Sequence, residues 1–346
     1  MALPSKMKAW QYSSNTKGIT PHLILNPSVP VPIPSRLGEM LIRVLSVALN
    51  PVDHRPAETV LYRFAIPKPA TPGVDFAGEV VQAPADGAFR EGDVVFGASG
   101  SIFAGGMLAE YAVAESSRVV EVGKITPNEA AAIAIAGLTA YQSIISRVKP
   151  NSHILINGGS GGLGTFGIQI AKALGHSVTV SCSGRNAELC RSLGAEVIDY
   201  TQGTLLQDLK NAAKVREFDL VVDNVFADPD LYWKAHEYTV RDAEYAVTPI
   251  NTTYAFMRPF VAMKLLPGLL GGGQRRLTVM FGQPKLEQLV QIRDWIAERK
   301  IEVVFDQVVP FEEVKQAFER LTSGRTVGKI IVEVARAPGS SNTQTS

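Results

Sequence analysis

The sequence predicts an α/β protein with two domains, one of them β-rich and barrel-like, the other built on a doubly wound parallel sheet. Three observations predict this fold. Short strands separated by glycine and proline fill the first 125 residues. Between residues 126 and 283, strands alternate with helical patterns, as in parallel sheets with helical crossovers. The first of these strands leads directly into a glycine-rich turn.

The elements follow in order along the chain. The predicted strands of the β-rich domain are 40–49, 78–82 and 110–113, and residues 92–96 are predicted to form a turn followed by a strand. The second domain is predicted to contain helices 127–135 and 140–147, and then strand 154–157, helix 162–174, strand 178–181, helix 186–193, strand 196–198, helix 205–213, strand 220–223 and strand 277–281. The predicted final elements are helix 284–300, strand 303–309, helix 312–321 and strand 329–334.

We expect those last elements to return to the first domain. The predicted domains are therefore 1–125 together with 284–346, and 126–283 as an inserted unit. The tail, 337–346, is rich in Gly, Ser, Asn and Thr and is expected to be disordered.

The glycine-rich turn carries the clearest chemical signal. Gly159, Gly161 and Gly164 fit G-x-G-x-x-G between a strand and a helix. In that setting the first glycine permits a tight turn, the second lets the backbone approach a pyrophosphate, and the third lets helix and strand pack closely. The residues expected to hold the dinucleotide here are Gly159, Ser160, Gly161, Gly162, Leu163 and Gly164. A Walker A loop is excluded because Thr165 stands where lysine is needed.

Composition narrows the class of protein. The chain has 346 residues, 46% hydrophobic and 19% charged, with a formal net charge of +1. These values are typical of a soluble globular protein and indicate no nucleic-acid surface. The two cysteines cannot form a disulfide framework, and no signal peptide or transmembrane stretch is evident. A cytoplasmic location is expected.

Several segments together resemble one family, the zinc-independent medium-chain dehydrogenase/reductases of the quinone oxidoreductase and enoyl reductase type. The segments are 50–53 (NPVD), 72–78 (PGVDFAG), 91–95 (EGDVV), 109–111 (AEY), 137–141 (GLTAY), the glycine loop, 191–195 (RSLGA) with 199–200 (DY), and 328–332 (GKIIV). The resemblance covers about residues 7–335. It implies a GroES-like β-barrel plus a Rossmann domain, an active site in the cleft between them, and a homodimer.

The resemblance also implies that no metal is bound. Zinc-dependent relatives carry Cys near Asn50, His at Val74 and Glu at Asp75, and neither Asn50 nor Val74 replaces those ligands. Residues 83–120 contain no cysteine for a structural zinc site.

Hydride addition to a simple ketone leaves a localised alkoxide, which zinc would stabilise as a Lewis acid. Hydride addition to the β-carbon of an enone gives a delocalised enolate, for which a single hydrogen-bond donor is sufficient. The sequence therefore predicts a reductase that transfers hydride to a quinone or to the C=C of an α,β-unsaturated carbonyl. A trans-acting enoyl reductase of a biosynthetic pathway is one form of it. The alternative is an NADPH-binding regulatory or scaffold protein with little turnover.

NADPH is the predicted coenzyme. An NAD site usually has an acid about 20 residues after the glycine loop, and the second strand instead ends in Ser183 and Arg185. Both suit a 2′-phosphate, and Tyr200 matches a further family contact. The alternative is that Arg185 simply faces solvent.

Other site candidates come from the resemblance. Asn50 matches a position near the nicotinamide ribose or substrate oxygen, and Tyr62 a loop that carries a proton donor; their alternatives are a turn residue and a surface aromatic. Thr139, Asn224 and Lys329 match coenzyme positions, although Thr139 can bond its own helix and Lys329 can be a solvated strand-start lysine.

The segment 228–276 departs from the family and is rich in aromatic residues. It is expected to be extra core or a dimer interface, or alternatively a pocket or lid for a lipophilic substrate. Peripheral membrane contact through 256–270 is a further alternative.

Overall fold

In a computed structural model the chain divides into two compact units, Met1–Ile135 with Pro284–Ala297 and Phe305–Ser346, and Ala136–Gln283 with Glu298–Val304. The model describes residues 3–59, 64–85, 87–99, 106–248, 263 and 272–335. Compared with the sequence-based boundaries, 126–135 lies in the first unit rather than the second, and 298–304 lies in the second unit rather than the first.

The first unit is built mainly on antiparallel strands. A two-stranded sheet pairs β1 (Lys6–Gln11) with β2 (Ile24–Pro30). A seven-stranded sheet contains β3 (Glu39–Leu49), β4 (Asp75–Gln82), β5 (Val94–Ala98), β6 (Tyr111–Glu115), β7 (Val119–Glu121), β14 (Phe305–Pro310) and β15 (Lys329–Glu333).

Strand β3 is the centre of this sheet because it pairs with β15, β4 and β6. Nine of its eleven residues are buried, which explains why its sequence is a nearly continuous apolar run. The helices of the unit are α1 (Arg55–Glu58), α2 (Pro127–Ala131), α8 (Leu286–Ala297) and α9 (Val314–Thr322). Helix α2 begins at Pro127, and Thr126 and Glu129 form a capping box around its first turn.

The second unit contains one six-stranded, fully parallel sheet. Its strands are β8 (His153–Asn157), β9 (Ser177–Cys182), β10 (Glu196–Asp199), β11 (Phe218–Asp223), β12 (Thr239–Val247) and β13 (Arg276–Val279). The spatial order is β10-β9-β8-β11-β12-β13. In the unit's own numbering this order is 3-2-1-4-5-6, which is that of a Rossmann fold.

The helices of the second unit are α3 (Leu138–Ile144), α4 (Gly162–Ala173), α5 (Ala187–Ser192), α6 (Leu205–Ala213) and α7 (Pro229–Trp233). Tyr232, Tyr238 and Tyr245 are buried in a core cluster that also contains Phe218 and Phe226. The described aromatic residues of the unusual segment 228–276 are therefore largely core, one of the two roles expected for it. Most of 256–270 lies outside the described residues.

Candidate coenzyme and active site

The strand order places two loops side by side in the second unit. Strand β8 pairs with β9 on one side and with β11 on the other, so the order reverses beside β8. In open parallel sheets, ligands bind at the carboxyl ends of the strands at such a switch point. The glycine loop follows β8 and Asn224 follows β11, so both flank this point.

The three motif glycines have different surroundings. A Cβ added to Gly159 would stand 2.6 Å from Val180 Cβ, and one added to Gly164 would stand 2.2 Å from the Gly158 carbonyl oxygen. Both positions therefore require glycine for close packing. At Gly161 the nearest atom to such a Cβ is 3.9 Å away. Apart from its chain neighbours, no other atom of the described residues lies within 4 Å of that position, which is where the motif expects a pyrophosphate.

The start of α4 leaves its backbone donors available. Gly161 is the N-cap and has no side chain to accept from the first turn, which includes Gly162, Leu163 and Gly164. The first N–H groups of a helix have no partner within it, and the helix dipole makes this end partly positive. The uncapped end beside the open position at Gly161 fits the diphosphate of a dinucleotide.

Buried polar side chains hold the glycine loop in place. Asn157 donates from Nδ2 to Asp223 Oδ1 (2.8 Å) and accepts from Ser181 Oγ at its Oδ1 (2.5 Å). Ser181 Oγ in turn accepts from the Gly158 N–H at 3.1 Å. These contacts join the ends of β8, β9 and β11. Asn157 and Ser181 were not predicted as site residues, although each is a polar residue at the end of an apolar strand.

Asp223 organises the loop after β11. Its Oδ1 accepts from the N–H groups of Val225 (3.0 Å) and Phe226 (2.7 Å), and its Oδ2 accepts from the Tyr245 hydroxyl (2.6 Å). Complete burial raises the pKa of this carboxyl despite these donors. Phe226 has φ +45°, a left-handed conformation that glycine usually takes. The hydrogen bond from its N–H and its buried ring hold it there.

Asn224, a predicted coenzyme residue, lies beside this loop. It is 9% exposed, and its N–H donates to the Asn157 carbonyl at 3.1 Å. Its Oδ1 accepts from Thr248 Oγ1 at 3.5 Å, so its Nδ2 donors have no protein partner among the described residues. Asn224 thus retains donors at the switch point.

The predicted 2′-phosphate residues come together at the ends of β9 and β10. Cys182 and Asp199 are paired in the two strands, so Ser183 and Tyr200 follow at the same edge. The Tyr200 N–H donates to the Cys182 carbonyl at 3.2 Å, and its side chain is exposed. Arg185 is exposed and has no ion pair within the described part of the chain.

Ser160 connects this edge to the glycine loop, because its Oγ accepts from Asn186 Nδ2 at 3.0 Å. The same loop therefore faces both the expected diphosphate and the expected 2′-phosphate.

Thr139 is buried in α3 at 3% exposure. Its Oγ1 lies 2.6 Å from the position that a Cβ on Gly282 would take, so that glycine allows the hydroxyl its place. Among the described contacts, the hydroxyl makes no hydrogen bond to its own helix, in contrast to the structural alternative considered for this residue.

In the first unit, four polar residues form a buried cluster. Lys329 Nζ donates to Asn50 Oδ1 (2.5 Å) and to the Leu49 carbonyl (3.1 Å). Asn50 Nδ2 donates to Asp75 Oδ2 (2.9 Å) and to the Ala48 carbonyl (3.1 Å). Asp53 Oδ2 accepts from the Asn50 N–H at 2.6 Å. At 3% exposure, Lys329 is not the solvated lysine considered as an alternative.

These bonds fix the orientation of the Asn50 amide. A lysine ammonium can only donate and an ionised carboxylate can only accept, so Oδ1 must face Lys329 and Nδ2 must face Asp75. Both Nδ2 hydrogens are used, and only the second lone pair of Oδ1 remains. Asn50 in this state suits a hydroxyl donor such as a ribose better than a substrate carbonyl oxygen.

Burial shifts the charges of this cluster. It raises the pKa of Asp53 to about 7 and that of Asp75 to about 6, against the opposing effect of Lys329. Burial also lowers the pKa of Lys329, which the two carboxylates partly counteract. Asp75 Oδ1 is buried without a hydrogen-bond partner among the described residues. The cluster therefore binds a proton more readily than isolated carboxylates would.

This cluster predicts a pH dependence of stability. Because the folded-state pKa of Asp53 is raised, its contribution to stability is fully present below about pH 4 and is lost as pH rises through about 7. Between pH 5 and 8 the melting temperature of the Asp53→Asn variant should fall less than that of the wild type. Each 1 kcal/mol corresponds to roughly 2–4 °C in a domain of this size. Parallel melting curves would contradict the assignment.

The remaining expectations concern the proton donor Tyr62, a metal site and a membrane-spanning helix. Tyr62 lies outside the described residues. Within the described part of the chain, no group of three or more His, Cys, Asp or Glu side chains is placed to hold a metal ion. No described helix has the length and apolar character needed to cross a bilayer.

Comparisons with known families and proteins agree with this architecture. Residues 36–124 match the family model described as alcohol dehydrogenase GroES-like domain, and residues 193–332 match that described as zinc-binding dehydrogenase. The predicted fold class, a GroES-like domain plus a Rossmann domain, is confirmed.

Similar proteins include reductases. The chain is 42% identical to a trans-enoyl reductase of Aspergillus terreus, over 96% of this chain and 97% of that protein. It is 32% identical to a chloroplastic quinone-oxidoreductase homolog of Spinacia oleracea, over 94% and 98% of the two chains. The structure of a quinone oxidoreductase from Coxiella burnetii superposes with a TM-score of 0.82 at 27% identity, over 95% of this chain and 100% of that one.

Proposed function

Because the chain belongs to the medium-chain dehydrogenase/reductase family of oxidoreductases, which bind nicotinamide coenzymes, we propose that it is an NADPH-dependent enoyl reductase acting in trans. Its substrate would be a lipophilic molecule with a C=C bond conjugated to a carbonyl. The 42% identity to a trans-enoyl reductase over nearly the whole chain is the observation that carries this proposal.

The coenzyme-binding part of the proposal rests on the second unit. The N–H groups at the start of α4 would bind the diphosphate over Gly161, and Ser183, Arg185 and Tyr200 would receive the 2′-phosphate. Asn224 would donate at the switch point, and Thr139 would line the same site. When bound, NADPH supplies a hydride to the β-carbon of the substrate, which leaves an enolate.

The role proposed for the buried cluster of the first unit comes from the family resemblance, in which Asn50 and Lys329 match positions near the coenzyme. Lys329 and Asp75 hold the Asn50 amide in one orientation, and its free lone pair would accept from a ribose hydroxyl. Lys329 has three donors, two of which are used. We propose that the third would donate to the coenzyme, as the resemblance of Lys329 to a family coenzyme position implies. Tyr62 is the proposed donor of the proton to the product.

Steady-state oxidation of NADPH tests the reaction. The purified protein should oxidise NADPH with α,β-unsaturated thioesters and ketones, giving products saturated at the C=C bond. Tyr62→Phe should lower kcat by roughly 10²–10⁴-fold if this hydroxyl is the general acid, whereas Tyr12→Phe, at a buried tyrosine of the first-unit core, should leave kcat unchanged. Coenzyme binding without turnover across the panel would favour the regulatory or scaffold alternative.

The coenzyme preference has its own test. Charge-assisted hydrogen bonds to a phosphate contribute roughly 1.5–3 kcal/mol, so Arg185→Ala should lower kcat/KM for NADPH by about 10- to 150-fold. The value for NADH should stay within about twofold, since NADH has no 2′-phosphate. Arg191→Ala, an exposed arginine on α5, is the control. An unchanged NADPH-to-NADH ratio in Arg185→Ala would contradict the assignment.

Quinones are the second candidate class of substrate, because the Spinacia oleracea relative and the Coxiella burnetii structure are described as quinone oxidoreductases. A higher kcat/KM for quinones than for every enone tested would favour this class. Hydride transfer to a quinone would use the same coenzyme site but would not need a proton at carbon, so Tyr62→Phe should then affect quinone reduction far less.

A further inference from the structure

An acidic side chain lies beside the proposed 2′-phosphate residues, although the second strand contains none. Asp199 is the last residue of β10 and pairs with Cys182 at the end of β9. A Cβ added to Gly184 would stand 2.3 Å from Asp199 Oδ2. The carboxylate therefore contacts the backbone between Ser183 and Arg185. The carboxylate reaches this backbone because β10, the third strand of the unit, pairs with β9.

Asp199 is held as an anion in this position. Its Oδ1 accepts from Thr201 Oγ1 at 2.7 Å and from the Thr201 N–H at 3.0 Å. These bonds, together with one from the Gly184 N–H, lower the pKa of the carboxyl. No cationic side chain forms an ion pair with it among the described residues. Its negative charge is thus unneutralised at the loop that carries Ser183 and Arg185.

We infer that Asp199 is a specificity-determining residue whose carboxylate opposes the coenzyme 2′-phosphate and limits the preference for NADPH over NADH that Ser183 and Arg185 create. The inference rests on the proposed function, because it presumes that this loop receives the adenosine ribose. In such a site, an anionic and a cationic side chain have opposite effects on the binding of the same phosphate.

The chemistry of the two coenzymes explains the direction of the effect. A phosphate monoester carries about −1.5 to −2 charges at neutral pH, so a nearby carboxylate repels it. The 2′-hydroxyl of NADH is neutral and can donate to a carboxylate, as in sites with an acid after the second strand. Asp199 therefore disfavours NADPH and favours NADH relative to a neutral residue.

Asp199→Asn is the variant that removes the charge at nearly constant shape, because its amide oxygen can still accept from Thr201 as Oδ1 does. Its kcat/KM for NADPH should rise roughly five- to tenfold, through a lower KM, as expected for one repulsive charge near a phosphate. The value for NADH should stay level or fall. The gain should shrink at 0.5 M NaCl, since the Debye length is then only a few ångströms.

Two control variants separate charge from structure. Asp242→Asn removes an exposed carboxylate elsewhere in the second unit and should leave the coenzyme ratio unchanged. Thr201→Val removes one hydrogen bond to Asp199 but keeps its charge, and it should change the ratio by less than twofold. An increase in Thr201→Val equal to that in Asp199→Asn would overturn the inference, because loop geometry rather than charge would then set the ratio.

The outcome can also be separated from a failure of the proposed function. If Arg185→Ala lowers the NADPH-to-NADH ratio while Asp199→Asn leaves it unchanged, the coenzyme site stands and the role of Asp199 is refuted. If neither variant changes the ratio, the 2′-phosphate site itself is refuted. Direct titration of NADPH fluorescence with each variant gives the same comparison for binding without turnover.

Discussion

Replacing Gly164 with alanine should abolish coenzyme binding and destabilise the second unit. The added Cβ would stand 2.2 Å from the Gly158 carbonyl oxygen and 2.5 Å from that of Gly159. Both atoms are backbone and cannot rotate away, so α4 must shift from the loop. Overpacking of this kind typically costs about 1–3 kcal/mol. Calorimetric titration should show at least a 100-fold weaker Kd for NADPH, and the melting temperature should fall.

Gly161→Ser is the matched control for this prediction. Its backbone is extended (φ −79°, ψ 175°), a Cβ there meets nothing closer than 3.9 Å, and serine is a favoured N-cap. The variant should keep or raise the melting temperature, yet lose NADPH binding, because its side chain occupies the anion position and caps the free N–H groups. Normal coenzyme affinity in Gly161→Ser would mean that the diphosphate does not bind there.

Replacing Lys329 with methionine should have the second large effect. The change removes the only cation that contacts Asn50 among the described residues, and it leaves Asp53 and Asp75 buried together without a compensating charge. Breaking a buried ion cluster by removing one partner typically costs about 3–5 kcal/mol. Chemical denaturation should reveal this loss, and kcat should fall because the Asn50 amide is no longer held in one orientation.

Two further variants make this result interpretable. Lys315→Met removes an exposed lysine on α9 and should be neutral. The double variant Lys329→Met with Asp75→Asn removes one charge of each sign, so it should recover part of the stability but not the activity. Additive losses in the double variant would show that the two residues do not interact, contrary to the hydrogen-bonded cluster.

The sequence predicted the features that depend on local spacing. The glycine motif lies in a short strand–turn–helix segment, and its glycines occupy the turn after β8 and the start of α4, as the pattern predicted. Alternating strands and helices predicted the parallel sheet. Strand β12 was missed because charged residues at 241, 242 and 244 interrupt its apolar pattern. Only its pairing between β11 and β13 makes it a strand.

Features that depend on distant residues were not predictable. Nothing around Lys329 indicates burial, since its partners Asn50 and Asp75 lie more than 250 residues earlier in the chain. Asp199 was not predicted as a coenzyme residue, because the sequence pattern places an acid after the second strand and Asp199 ends the third. Its proximity to Gly184 follows from the pairing of β9 with β10. The burial of Lys329 and the position of Asp199 could therefore be recognised only once the order of strands in each sheet was known.

Transfer of deuterium from coenzyme to substrate tests the central proposal most directly. The protein would be incubated with NADPH deuterated at C4 of the nicotinamide on either face, and with an α,β-unsaturated thioester. We predict one deuterium at the β-carbon of the saturated product when one of the two faces of the coenzyme is labelled, and none with Gly161→Ser. Saturated product without deuterium at that carbon from either coenzyme, or no product at all from a protein that binds NADPH, would contradict it.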